Sequence, residues 1–139
     1  MNRNLLAFAM SLALLLSAAA HAQTTQLKVT VPFDFTAGNV QLPAGEYDVQ
    51  SLSPWGGKAL SIHSVHSSAG TVVLSNSCQS AKISDRGRLV FYRYGNQYFL
   101  AEIWTANNHV GQQMPIDKRQ TELARNQPKR DVVLMASGK

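Results

Sequence analysis

The chain has 139 residues and a formal net charge of +5, from 13 lysine and arginine residues against 8 aspartate and glutamate residues. Beyond residue 22 the basic residues are scattered rather than concentrated in one segment, so the charge does not indicate nucleic acid binding. The sequence contains one cysteine, Cys78, which excludes an intramolecular disulfide and leaves packing to hold the fold.

The amino-terminal segment has the pattern of a bacterial export signal. A short polar stretch containing Arg3 precedes an almost unbroken apolar run over residues 5–16, and residues 20–22 read Ala-His-Ala, which fits a cleavage motif. The run is shorter than the roughly 20 apolar residues of a membrane-spanning helix. We therefore predict cleavage between Ala22 and Gln23, a periplasmic or extracellular location without a membrane anchor, and one β-rich domain over residues 23–139.

Short apolar or alternating segments recur along the rest of the chain, separated by clusters of glycine, proline, serine and asparagine. A spacing of about 8 to 12 residues between such segments is typical of antiparallel β structure. The strand candidates are residues 27–31, 46–52, 58–64, 71–77, 88–94, 97–104 and 131–136. The sequence therefore predicts a mostly β fold, a small antiparallel barrel or sandwich of about seven strands with one short helix before the last strand.

The strongest local signal is a β-hairpin that turns at Gly95-Asn96. Glycine at the first central position suits a type II′ turn, whose backbone twist matches that of the two strands. This two-residue turn pairs Tyr94 with Gln97 and, further along, Phe91 with Leu100. Each face of the hairpin then carries aromatic and aliphatic side chains, so we expect the hairpin to be central and covered on both sides.

The short helix is predicted from its end signals. Asp117 and Gln120 stand three residues apart, as in a capping box, and a helix begun there would run to about Asn126, before Pro128. Its apolar face is small, and the preceding residues 105–114 are interpreted as a loop.

Three motifs resemble a group of short exported bacterial proteins to which no activity is assigned. They are VPFDF at residues 31–35, LPAGEY at residues 42–47, and RYG with YFL over residues 93–100. In that group the segment before the helix often reads Leu-Pro-x-Ser, whereas this chain has Asp117 at the serine position, which keeps the capping chemistry. The resemblance implies an export peptide followed by one β-rich domain, and it carries over no catalytic residue or cofactor.

Five residues are candidates for ligand binding: Trp55, Arg93, Tyr98, Glu102 and Trp104. Trp55 lies in a Pro-Trp-Gly-Gly turn, where a large ring either meets a ligand or folds back over the core. Glu102 lies in an apolar run, on the predicted face of Tyr98, Leu100 and Trp104 with Arg93 on the facing strand. A buried carboxylate needs a partner, so Glu102 is expected either in a structural ion pair with Arg93, Arg86 or Arg88, or in a ligand pocket.

Other chemistry is weakly supported by the sequence. His63 and His66 point to opposite faces if they lie on one strand, which disfavours a metal site. Cys78 lacks a nearby cation or histidine in the local sequence and is interpreted as a small apolar side chain, with a reactive or bridging thiol as the alternative. No serine lies in a G-x-S-x-G motif, and no phosphate-binding loop is present. We therefore predict no catalytic residues, no metal and no cofactor.

The function expected from these observations is an exported, non-enzymatic module that binds or assembles in the cell envelope. Its partner would be an envelope polymer, a small ligand or another protein. The alternative is a small hydrolase or isomerase with Glu102, Arg93 and a histidine at a barrel mouth. A third hypothesis, a structural or adhesive protein, predicts an exposed edge strand and self-association.

Overall fold

The computed structural model describes residues 26–52 and 58–137, which form two β-sheets and one helix. In chain order the elements are β1 (Gln26–Val31), β2 (Phe35–Ala37), β3 (Val40–Leu42), β4 (Gly45–Ser51), β5 (Ala59–Ser64), β6 (Gly70–Leu74), β7 (Asn76–Gln79), β8 (Arg88–Tyr94), β9 (Gln97–Trp104), β10 (Val110–Gln113), α1 (Lys118–Asn126) and β11 (Arg130–Met135). The predicted mostly β fold with one short helix before the last strand is confirmed.

The two sheets pack face to face as a sandwich and do not close into a barrel. The four-stranded sheet has the order β1-β4-β5-β6. The seven-stranded sheet follows the path β11-β8-β9-β10-β7, and β2 joins it through β9 while β3 pairs with β2. All described pairings are antiparallel except the short contact of β2 with β9. Of the two predicted architectures, the sandwich is therefore the one that forms.

The described residues contain eleven strands rather than about seven. The seven predicted segments correspond to β1, β4, β5, β6, β8, β9 and β11. The additional strands are β2, β3, β7 and β10, and each has only three or four residues. Segments this short lack room for a period-two apolar pattern. Residues 71–77, predicted as one strand, divide at buried Ser75, where the chain passes from the four-stranded to the seven-stranded sheet.

The core lies between the sheets and contains alternate residues of both. On β1, Val29 and Val31 are fully buried while Lys28 and Thr30 are exposed, which is the period-two pattern of a half-buried strand. Facing residues from the seven-stranded sheet include Phe91. We call the face of the seven-stranded sheet that meets this core its inner face, and the opposite face its outer face.

The outer face carries a second apolar cluster, which includes Val90, Tyr92, Phe99 and Trp104. The α1 helix packs there through Leu123. Most side chains of β8 and β9 are consequently buried on both faces. The expectation that this hairpin is central and covered on both sides is confirmed.

The turns follow the predicted chemistry. Tyr94 pairs with Gln97 and Phe91 with Leu100, while Gly95 has a φ of +60°. Asn96 is absent from the positive-φ residues of the described chain, as a type II′ turn requires. At the start of α1, the side chain of Asp117 accepts a hydrogen bond of 2.8 Å from the backbone N–H of Gln120, so the predicted cap forms.

Candidate ligand-binding site

A β-bulge at Ala101 decides where the candidate side chains of β9 point. Ala101 has no partner on β8, because the register of the two strands shifts there by one residue. Tyr98 therefore packs on the inner face, whereas Trp104 belongs to the outer cluster and Glu102 lies beside it. The prediction that Glu102 and Trp104 share a face with Tyr98 and Arg93 was wrong, since period-two counting assumes a strand without a bulge.

Arg93 and Tyr98 lie together on the inner face, at the hairpin end of the sheet. They pair across β8 and β9, and the guanidinium carbon of Arg93 is 5.4 Å from the centre of the Tyr98 ring. The Tyr98 ring also stacks on Phe33, with ring centres 3.8 Å apart and an angle of 14° between the planes. The Nε of Arg93 donates a hydrogen bond of 2.7 Å to the carbonyl oxygen of Gly95. These contacts fix the position of the Arg93 guanidinium at the hairpin end.

Arg130 on β11 pairs directly with Arg93 on β8. Beside them is a cavity of about 210 Å³, lined by Arg93, Gly95, Gln127, Pro128 and Arg130, which we call the hairpin-end cleft. Among the described residues, neither arginine has a carboxylate within 4.0 Å. The Oε1 of Gln127 is buried and has no hydrogen-bond partner in this part of the chain. In the described part of the chain, the cleft thus combines two arginines that have no ion-paired carboxylate with one glutamine oxygen that has no hydrogen-bond donor.

Sequence reasoning identified Arg93 and Tyr98 but missed Arg130 and Gln127. Arg130 enters the site because the last strand pairs with β8, which places residue 130 opposite residue 93 and which no local sequence signal specifies. Gln127 could not be found from strand pairing either, since it follows α1 outside any ladder.

Glu102 and Trp104 form a separate group on the outer face. The indole Nε1 of Trp104 donates a hydrogen bond of 2.8 Å to the Glu102 carboxylate, and the Arg88 guanidinium carbon lies 4.9 Å from the indole centre. Among the described residues the expected ion pair of Glu102 with an arginine does not form, and Arg86 donates instead to the carbonyl oxygen of Ala136. Trp104 is only 4% exposed, so its ring offers little surface to a ligand.

The arrangement required by the hydrolase or isomerase hypothesis does not form in the described structure. Arg93 lies on the inner face and Glu102 on the outer face of the seven-stranded sheet. His63 lies on the four-stranded sheet, and the ring of His66 contacts Glu46 at 3.2 Å. Glu102 and Arg93, the acid and the cation of that hypothesis, therefore do not converge on one reacting atom, as acid–base catalysis requires.

No family model matches the chain, and neither a curated protein nor a solved structure shows detectable similarity to it. Its function is therefore inferred from the geometry of its own residues.

A second cavity, of about 190 Å³, lies between the sheets. Its apolar floor comes from Leu27, Val49, Leu60 and Ile103, and its polar lining includes Ser77, Thr105, Asn108 and Gln112. Both this cavity and the hairpin-end cleft are smaller than the range of about 300–1,000 Å³ that is usual for small-molecule sites, so volume does not separate them. The lining of this cavity contains no charged residue, whereas two arginines line the cleft.

Three other predictions concern Trp55, metals and membranes. Trp55 lies outside the described residues, so its ligand-binding role stays a prediction. Within residues 26–52 and 58–137 there is no group of three or more histidine, cysteine, aspartate or glutamate residues suited to hold a metal ion. In the same part of the chain, no helix has the length and apolar character needed to cross a bilayer.

Cys78 lies half-buried against the outer cluster, opposite Gly111 of β10. Burial raises the pKa of the Cys78 thiol, and the negative charge of Glu102 raises this pKa further, although a hydrogen bond from the Gly111 backbone opposes both effects. A thiol with a raised pKa carries little thiolate at neutral pH and is a poor nucleophile. The geometry therefore favours the interpretation of Cys78 as an unreactive side chain.

We expect iodoacetamide to alkylate Cys78 slowly at pH 7.5, with a rate that rises to its plateau only above the ordinary thiol pKa of about 8.5. Mass spectrometry of the time course at each pH would give the titration midpoint. The Glu102→Gln variant removes the nearby charge and should lower that midpoint. A wild-type midpoint below the ordinary value would contradict the assignment.

Proposed function

We propose that the protein is an exported, non-enzymatic binding module of the bacterial cell envelope that holds an anionic polymer in the hairpin-end cleft. The ligand chemistry is a carboxylate or phosphate group on a chain that also carries hydroxyl groups. The observation that carries the proposal is the direct pairing of Arg93 with Arg130 at the edge of a cavity, without an ion-paired carboxylate among the described residues.

Like charges that face each other across a ladder destabilise a sheet. An anion placed between Arg93 and Arg130 removes this repulsion and gains charge-assisted hydrogen bonds, because the planar guanidinium group matches carboxylate and phosphate geometry. The nearest carboxylate in sequence, that of Asp131, is already 3.8 Å from the Nζ of Lys129. Since no described carboxylate forms an ion pair with Arg93 or Arg130, an external anion is the simpler explanation for two arginines side by side.

Other groups in and near the cleft fit a polyhydroxylated anion. The Oε1 of Gln127 has no hydrogen-bond donor in the described part of the chain, and rotation of this side chain toward the cleft would let a ligand hydroxyl supply one. Arg119 lies outside the lining of the cleft, on the helix that packs on the outer face, where its Nη2 donates a hydrogen bond of 2.7 Å to the side chain of Gln97 at the hairpin turn. A polymer that extends from the cleft around the hairpin turn would meet the positive charge of Arg119.

The proposal predicts that polygalacturonate or poly(glycerol phosphate), which carry hydroxyl groups beside a carboxylate or a phosphate, binds to the purified protein, as measured by titration calorimetry at low salt. Arg93→Gln and Arg130→Gln should each weaken binding by about 10- to 100-fold, since a charged hydrogen bond contributes about 1.5–3 kcal/mol. The two polymers separate the carboxylate from the phosphate form of the ligand.

Arg125→Gln is the matched control, because it removes the same charge from a residue in the last turn of α1 that does not line the cleft. Neutral dextran tests whether the sugar alone suffices. The proposal fails if neither polyanion binds, or if Arg125→Gln weakens binding as much as Arg93→Gln and Arg130→Gln do.

A further inference from the structure

Among the described residues, the β6 strand is one edge of the four-stranded sheet and pairs only with β5. Its sequence, Gly-Thr-Val-Val-Leu, contains no charged residue and no proline. Natural edge strands usually carry such residues, or a bulge, to prevent pairing with another chain. On the outside of the sheet, Val72 is 54% exposed and Leu74 is 70% exposed. This edge therefore has the features of a strand that accepts another strand.

The hydrogen-bond register shows which backbone groups face outward. Just beyond the two ends of the β5–β6 ladder, Ser64 N–H donates to Ala69 and Ser75 N–H donates to Lys58. Because hydrogen-bonded pairs alternate along an antiparallel ladder, Thr71 and Val73 direct their backbone groups toward β5. The N–H and C=O groups of residues 70, 72 and 74 consequently point away from the sheet.

We infer that β6 pairs with β6 of a second copy of this chain, antiparallel and two-fold symmetric about Val72, to form a continuous eight-stranded sheet. The three outward residues then form three hydrogen-bonded pairs, with about six new backbone hydrogen bonds. Val72 lies opposite Val72 of the second copy, and Leu74 lies opposite its Gly70.

The side chains favour a second copy over an unrelated strand. In this register Leu74 would lie opposite Gly70 of the second copy. The His63 ring of that copy packs so closely on Gly70 that a Cβ there would overlap the ring. The exposed Leu74 would thus pack against the His63 imidazole of the second copy, and Val72 would pack against Val72 of that copy. Because β6 contains no charged residue, the two-fold arrangement does not bring like charges of the two strands together. A symmetric interface of this kind closes after two copies.

The inference predicts a dimer in sedimentation velocity experiments on the purified protein. Val72→Lys places a charge on each side of the two-fold axis and should raise the dimer dissociation constant at least about tenfold. Val133→Lys is the matched control, since Val133 is 50% exposed on β11, the edge strand of the other sheet. Circular dichroism would confirm that both variants are folded.

A cross-linking experiment tests the register itself. In a Cys78→Ser background, Val72→Cys should give a covalent dimer under mild oxidation, because hydrogen-bonded antiparallel partners are about 5.5 Å apart at Cα, within disulfide range. Thr71→Cys in the same background should cross-link less, since residue 71 then faces residue 73.

Three outcomes would overturn the inference. The first is a wild-type monomer at about 100 μM, well above the micromolar range of specific association. The second is an equal effect of Val72→Lys and Val133→Lys on the dimer dissociation constant. The third is cross-linking at residue 71 that is as efficient as at residue 72. Pairing of β6 with an unrelated protein would appear as a wild-type monomer and therefore counts against it. None of these readouts depends on anion binding, because the hairpin-end cleft lies in the other sheet.

Discussion

Replacing Phe91 with alanine is expected to lower the free energy of unfolding by about 3–5 kcal/mol. Phe91 is fully buried, and its ring makes edge-to-face contacts with Phe33 and Phe35, at centre distances of 5.2 and 5.3 Å. It lies on β8, in the central hairpin of the seven-stranded sheet, and its side chain belongs to the core between the two sheets. Removing the ring therefore leaves a cavity that the neighbouring strands cannot close without moving. Urea denaturation of Phe91→Ala and wild type would measure the difference.

Ile83→Ala is the control for this prediction. Ile83 is 59% exposed, so its truncation should change the free energy of unfolding by no more than about 0.5 kcal/mol. A loss below about 1 kcal/mol in Phe91→Ala would mean that the centre of the sandwich lies elsewhere.

The second large effect is expected at Gly111, where the Trp104 ring lies against the backbone of β10. A Cβ at this position would approach three ring atoms to 2.5, 2.6 and 2.8 Å, closer than carbon atoms pack. The Trp104 ring cannot move freely, because its Nε1 donates a hydrogen bond to the Glu102 carboxylate and the Arg88 guanidinium lies over its face. Gly111→Ala should therefore cost about 1–3 kcal/mol of stability, as overpacked core positions do.

Gly45→Ala provides the comparison, since its new Cβ would meet the Tyr47 ring at an ordinary 3.8 Å. Thermal unfolding should separate the two alanine variants by several degrees, with Gly111→Ala the lower. If both variants unfold at the wild-type temperature, the indole of Trp104 does not lie over β10.

The long elements of this fold could be predicted from the sequence because each one spans several periods of its pattern. Residues 88–104 carry enough β-branched and aromatic side chains, around a glycine with a required positive φ, to fix the hairpin and its register near the turn. The α1 helix was found from its end signals, since Asp117 satisfies the backbone N–H of Gln120. Such interactions are local, so neighbouring residues suffice to specify them.

The candidate site could be predicted only in part, because two non-local features decide it. The bulge at Ala101 reverses the facing of Glu102 and Trp104, and nothing in the apolar pattern of β9 marks its position. The pairing of Arg130 with Arg93 depends on which strand β11 joins. Strands of three or four residues, such as β7 and β10, likewise form through partners distant in the sequence, which override their weak local preference.

If Arg93 and Arg130 hold one anionic group between them, the Nε–H resonances of both arginine side chains should respond to that anion. In a titration with oligogalacturonate followed by ¹⁵N NMR, the signals of Arg93 and Arg130 should shift together and saturate at the same ligand concentration, while that of Arg125 stays in place. Unchanged signals of Arg93 and Arg130 at saturation, or an equal shift of Arg125, would show that the two arginines do not share an anion.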